Sequence, residues 1–316
     1  MNRLGQSFIT LLVFMLIIFA ATRASGDPAP LILPIDASQE QVDLIRHQIG
    51  TDRSYPVQFG IFLKDMATFN FGRSIVHRLP VTDLLRDRIG NSLKLGLAST
   101  LIVLVTAFPL GMLAATRRGR LPDHVVRFLA AAGQSAPGFW VGLVLIEIFA
   151  VQAGVLPVSG MCDSALSDHC GGIGDWEFYI MPGITHALLL FASITRLLRS
   201  SMLETLDAEY VKLARAKGVS EIRVVWIHVF RNALLPIMTF MAIWTGTAVA
   251  GSVVTETVFN WPGVGRLFIE SVNFRDFPIV QAVVALVAVG VLLANLVVDL
   301  LYAVVDPRIR IATGTR

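Results

Sequence analysis

Apolar residues in this chain come in blocks of about 20, the length a helix needs to cross the hydrocarbon core of a bilayer. The blocks fall at 4–22, 91–115, 125–150, 181–198, 235–259 and 279–302. They predict an all-α membrane protein with six transmembrane helices in one domain over residues 1–316. Composition agrees: 54% of the residues are hydrophobic and 16% charged. Soluble domains carry about 25% charged residues. The net charge is +3, but no basic stripe is interleaved with aromatics as nucleic-acid binding requires.

The first block has two readings. Arg3, the run Phe8 to Ala21 and the small residues at Ala24-Ser25 also describe a secretory signal peptide. An uncleaved span is preferred, because cleavage leaves an odd number of spans. A polar insertion follows at 23–90. Ser38 and Gln41 form a capping-box signature, Val42, Ile45 and Ile49 an apolar stripe, and Gly50 a stop. They predict a small helical subdomain packed on itself or on the membrane surface. Pro137 lies inside the third block and should kink that helix. Residues 151–180 form a polar loop.

Cytoplasmic loops of membrane proteins are rich in Lys and Arg. With the N-terminus in the cytoplasm, the inner segments hold fifteen of the 26 Lys and Arg. The later outer loops hold only Arg266 and Arg275. The insertion and the 151–180 loop are then periplasmic, both termini are cytoplasmic, and so is the basic stretch 200–234.

That stretch reads as a helical elbow. Asp207 is a candidate N-cap, Gly218 a left-handed stop, and Ser220 the cap of a second helix. Tyr210, Leu213, Ala214 and Lys217 share one face of the first helix. Such an elbow either lies on lipid headgroups through its cations or docks on a partner. Tyr210-Val211, Ala214-Arg215-Ala216-Lys217-Gly218 and Arg231-Asn232-Ala233-Leu234-Leu235-Pro236 resemble the coupling loop of permeases in ATP-binding-cassette importers. The likeness is closest to the peptide and nickel branch. Lys212 and Leu213 depart from the wider superfamily, which has Glu and Ala there.

The resemblance continues along the chain. Gly26-Asp27-Pro28-Ala29, Phe71-Gly72-Arg73-Ser74, Gly133 to Gly142, Leu156 to Gly160, Glu256 to Gly263 and Asp306 to Arg310 all look like phrases of that family. Asn70 stands where those proteins usually have Asp. The resemblance implies a second permease, two ATPase subunits, a periplasmic substrate-binding protein and a bacterial inner membrane around both. It implies alternating access, with ATP and Mg on the ATPase subunits and no cofactor on this chain. No G-x-x-x-x-G-K-[ST] loop occurs in the sequence, so ATP must bind elsewhere, and this chain is not expected to be an enzyme. The implied ATPase contact is Tyr210, Leu213, Ala214, Arg215, Ala216, Lys217 and Gly218. Candidate pathway residues are Gln134, Ser135, Pro137, Trp140 and Trp244.

Cys162 and Cys170 share the 151–180 loop, where an oxidising compartment lets them bridge. Asp163, Asp168 and His169 beside them match no standard metal spacing, so no metal site is assigned. Glu147, Glu256 and Asp299 lie in or near apolar blocks. They are the only handle for an alternative, an ion-coupled transporter working without an ATPase. An export permease or a sensor subunit could share the elbow. The substrate stays open among dipeptides, oligopeptides, nickel and glutathione.

Overall fold

A computed structural model describes residues 3–24, 26, 27, 29–33, 37–162, 173–248 and 253–305. Among these, every regular element is helical, and Arg73 and Pro80 form an isolated β-bridge. The helices are α1 (Arg3–Ala24), α2 (Ala29–Ile32), α3 (Gln39–Ile49), α4 (Tyr55–Ala67), α5 (Val81–Thr116), α6 (Leu121–Ser135) and α7 (Gly138–Leu145). They continue with α8 (Trp176–Leu206), α9 (Glu209–Ala216), α10 (Glu221–Arg223), α11 (Arg231–Ala248), α12 (Val253–Val258), α13 (Val264–Asn273) and α14 (Phe277–Val305). Among the described residues, two helices are long and apolar enough to cross a membrane, α5 and α8, and α6 with the helix after it adds a third if the pair is one broken span. Shorter apolar stretches are Leu12–Ala24 and Phe277–Leu293.

Packing divides the chain into two compact units. The first holds α1 to α4, the start of α5, α13 and α14 as far as Leu293. Its insertion is built as the capping box predicts. The Gln41 N–H donates to Ser38 Oγ at 3.4 Å, the Ser38 N–H donates to Gln41 Oε1 at 2.9 Å, and Gly50 ends α3 at φ +71°. The expected stripe is partial, with Val42 buried and Ile49 exposed. The subdomain does not pack only on itself. Phe59 and Phe62 of α4 meet Phe19 of α1 at ring distances of 5.4 and 6.0 Å, and Ala285 of α14 closes the cluster.

Two of the sequence phrases are fasteners in this unit. Asp27 pairs with Arg46 at 2.6 Å and accepts the Ala29 N–H, which ties Gly26-Asp27 to α3. The Ser74 hydroxyl donates to buried Asp276, just before α14, and the N–H groups of Ile75 and Val76 donate to the same carboxylate at 3.1 Å. Burying a carboxylate is costly unless it is hydrogen-bonded, and these three donors engage both of its oxygens.

The second unit holds the rest of α5, α6 to α11 and most of α12. Its core surrounds α8: Leu190, Ile194, Leu198 and Met202 are buried against Val103 and Ala107 of α5 and Ile237 of α11. Glycine lets these helices close up. A Cβ at Gly111 would meet Leu198 at 3.0 Å, and one at Gly183 would meet Ile102 at 2.8 Å. The single kinked span expected at 125–150 is instead two helices bent by 106°. The cause lies one residue before Pro137. A residue preceding proline is driven out of the helical region. Ala136 is extended at ψ 128°, so α6 stops and α7 starts afresh, running on as a π-helical turn over Ile146–Gln152.

Asp123, in the first turn of α6, fastens this broken helix to α8. Its carboxylate takes Arg199 Nε at 2.6 Å, Arg199 Nη2 at 2.8 Å and the Gly119 N–H at 2.9 Å. It is 1% exposed. Asp123 is buried while the Arg199 side chain is 21% exposed, so removing Asp123 leaves a partly solvated charge and costs less than the about 3–5 kcal/mol of a fully buried pair. Asp123→Ala is therefore expected to lower the thermal transition of the purified chain in detergent. Asp123→Leu with Arg199→Met should recover much of the loss. Equal transitions for wild type and Asp123→Ala contradict the assignment.

Candidate functional site

The elbow lies in the second unit, between α8 and α11. α8 ends at Leu206, and Asp207 closes it: its N–H donates back to Leu203 at 3.3 Å. The expected N-cap role of Asp207 is thus filled by Ala208, whose extended backbone (ψ 143°) opens α9. Gly218 ends the turn at φ +76°. The Gly218 N–H donates to Arg215 O at 2.9 Å, and the Val219 N–H reaches back to Ala214 O at 3.2 Å. These bonds cap the last carbonyls of α9. Ser220 sits at the start of α10, as expected, but its side chain makes no capping bond. A π-helical turn over Val224–Phe230 then leads into α11.

α9 has two apolar stripes, one residue apart. The inner stripe is Val211 and Ala214, buried with Met202 of α8 and with Val224 and Val229 of the following turn. The outer stripe is Tyr210 and Leu213, 47% and 55% exposed. Arg215, Ala216 and Lys217 are exposed with it. Of the seven expected contact residues, Ala214 therefore belongs to the core, and Val211, which is not among the seven, is the anchor. Its signal was available in the i, i+3 spacing of two small apolar residues. Ile222 and Trp226 extend the exposed apolar surface past Gly218. Trp226 also stacks edge-on with Phe230 at 5.4 Å, and Phe230 with Phe108 of α5 at 6.0 Å. The elbow is so fixed on α5, α8 and α11.

Charges brace it. Arg215 spans Gly218 to reach Glu221, with Nη2 to Oε1 at 2.6 Å and Nε to Oε2 at 3.2 Å. Lys212 Nζ lies 2.8 Å from Glu209. The Arg215 hydrogen bond holds the Glu221 carboxyl below the usual glutamate range.

The other sequence phrases meet inside this unit. Gly142 of α7 faces Val258 and Phe259, where a Cβ would come within 3.1 Å of the Phe259 ring. The Gly160 N–H donates to Phe259 O at 2.9 Å. Trp261 is buried against Leu95 and Met161, with the Tyr179 ring 4.8 Å away. Three phrases far apart in sequence thus build one joint. Gln134, Ser135, Pro137 and Trp140 are exposed at the α6–α7 break, whereas Trp244 is half-buried beside the His186 ring at 5.8 Å. Cys162 is disulfide-bonded. Cys170, Asp163, Asp168, His169 and the side chain of Asp299 lie outside the described residues. Glu256 is fully buried, and Glu147 is exposed and accepts from Gln152 at 3.1 Å.

Residues 107–311 match the family described as binding-protein-dependent transport system inner membrane component. This chain belongs to that family. It is the permease subunit of an ATP-binding-cassette importer, in the peptide and nickel branch, embedded in the bacterial inner membrane. It is 39% identical over 311 residues to the glutathione transport system permease protein GsiC of Salmonella choleraesuis (strain SC-B67), covering 98% of each chain. It is 38% identical over 299 residues to the protein of that name from Escherichia coli (strain K12), covering 95% of this chain and 94% of the relative. These findings do not favour an ion-coupled transporter.

Two outcomes follow for the elbow. Val211→Asp should expose α9 to trypsin at Lys212, Arg215 and Lys217, whereas Leu213→Asp should leave it as resistant as wild type. Equal resistance in both variants contradicts the assignment of inner and outer stripes. For pH the sign is fixed by the lowered Glu221 carboxyl. Such a group stabilises above its unfolded pKa, and the contribution is lost as pH falls through the lowered folded value. The pair is exposed, so the effect is small. Amide exchange at Gly218 and Val219, corrected for intrinsic rate, should rise in acid below the ordinary carboxylate range. Glu221→Gln should exchange faster at neutral pH and respond less to acid; an unchanged acid response contradicts the brace.

Proposed function

We propose that this permease carries glutathione or a similarly small peptide inward, as one half of a translocation pathway made with a second permease. The observation that carries the reading is likeness over nearly the whole length to permeases named for glutathione transport. The substrate of those relatives is a small peptide, which fits the peptide-branch phrases of the sequence. In this reading the six apolar blocks are spans, the 23–90 insertion and the 151–180 loop face the periplasm, and both termini are cytoplasmic. A periplasmic binding protein delivers substrate above, and two ATPase subunits hydrolyse ATP below.

The elbow supplies the coupling. Tyr210 and Leu213, with Arg215, Ala216 and Lys217 beside them, offer a small apolar face rimmed by cations to an ATPase subunit. Force on that face passes through Val211 and Ala214 to α5, α8 and α11, because those side chains are buried in one cluster with residues of these helices. Gly218 holds the bend, and Gln134, Ser135, Pro137 and Trp140 at the α6–α7 break, with Trp244, contribute to the pathway. Cys162 and Cys170 pin the outer loop together.

Reconstitution tests this. The chain, co-expressed with the second permease and ATPase subunits that co-purify with it and placed in proteoliposomes with a cognate binding protein, should take up labelled glutathione only with ATP. Gly218→Val puts a β-branched residue at φ +76°, which costs about 1–2 kcal/mol or more. It should keep expression and ATP hydrolysis but lose most uptake. Normal uptake at normal expression sinks the coupling role. Uptake of dipeptides but not glutathione replaces the substrate.

A further inference from the structure

The second unit has a basic cleft that the permease reading leaves unused. It is an open hollow of about 530 Å³ between α6 and α8, lined by His124, Arg127, Phe128, Ala131, Arg196 and Arg199. No carboxylate lines it. The nearby acid, Asp123, has both oxygens committed to Arg199 and to the Gly119 N–H. Arg127 and Arg196 are exposed. Two guanidinium groups on neighbouring helices thus face one hollow with no acid in its wall.

The rest of the wall is apolar. Phe128 is 71% exposed, and the exposed side chains Val125 and Leu129 carry the apolar surface along α6. Both helices belong to apolar segments suited to a membrane. A soluble anion would have no use for this track, whereas an acyl chain would lie along it. Guanidinium groups match phosphate oxygens in number and direction. Basic pockets between transmembrane helices suit phosphate headgroups.

We propose that this cleft holds the phosphate of an anionic phospholipid, bound by Arg127 and Arg196, with an acyl chain along Phe128. Arg199 stays with Asp123 and shapes the floor. A lipid held there would brace the α6–α8 fastening from its outer side.

Native mass spectrometry of the full chain in detergent tests this, with phosphatidylglycerol or phosphatidylcholine added. Wild type should retain phosphatidylglycerol more tightly than phosphatidylcholine. Each cation near a headgroup contributes enough for about five-fold in affinity, so Arg127→Gln with Arg196→Gln should weaken retention about 25-fold. Both residues are exposed, so this variant keeps its fold, and an unchanged thermal transition verifies that. Arg86→Gln with Lys94→Gln, which removes two exposed cations elsewhere, should retain the lipid as wild type does. Equal retention of the two lipids, or no loss in the Arg127 and Arg196 variant, overturns the proposal. Displacement of the lipid by inorganic phosphate also overturns it, in favour of a soluble anion.

Discussion

The burial of Val211 and Ala214 is the contact on which the seating of the elbow depends. A short helix of eight residues has little stability of its own. Left alone on the surface, α9 would fray, and a partner pushing on it would move nothing else. Two small side chains change that by seating it against α8 and the turn after Gly218. Val211 is fully buried, so the burial of its side chain alone is worth about 1.5 kcal/mol or more. The turn that receives them is itself keyed into α5 through Phe230 and Phe108. The outer stripe, Tyr210 and Leu213, is free to be used because the inner stripe is not.

Elsewhere the molecule is held by a few fully satisfied polar fasteners set in apolar packing. Asp123 with Arg199 joins α6 to α8 in the second unit. Asp276 with Ser74 joins the start of α14 to the loop before α5 in the first. Each carboxylate is buried and each has its donors, so each fixes one geometry rather than merely adding stability. Between them, glycines set how closely helices approach: Gly111 and Gly183 at the α5–α8 contact, Gly142 against Phe259. The broken helix at Ala136-Pro137 relies on this framework, since a helix bent by 106° lacks the continuity that would hold its two halves.

Much of this was legible in the sequence, and the limits have physical reasons. Ser38, Gln41 and Gly50 predicted the ends of α3 because capping is local chemistry. Gly218 was readable because only its own backbone decides it. The apolar blocks located α5, α8 and α14, though α5 starts about ten residues early, since helix ends drift where neighbours pack them. The two stripes of α9 were confused because periodicity shows that a face is apolar but not which neighbour covers it. Pro137 was read for the hydrogen bond it removes, while its larger effect falls on Ala136. Asp123 and Asp276 gave no signal, because each finds its partner about 76 and about 200 residues away. The sequence phrases told the family before they told their purpose: Gly142, Gly160 and Phe259 serve one joint that only the fold assembles.

The central claim is that the elbow is one side of an interface with an ATPase that this chain lacks. Gentle detergent extraction of the tagged chain from its own bacterium, followed by mass spectrometry of what comes with it, tests that most directly. The account predicts an ATP-binding subunit and a second permease with the wild-type chain. It predicts that the ATP-binding subunit is lost from Tyr210→Ala with Leu213→Asp while the second permease remains. A chain that purifies alone, and still moves solute into liposomes on a proton gradient without ATP, would contradict it.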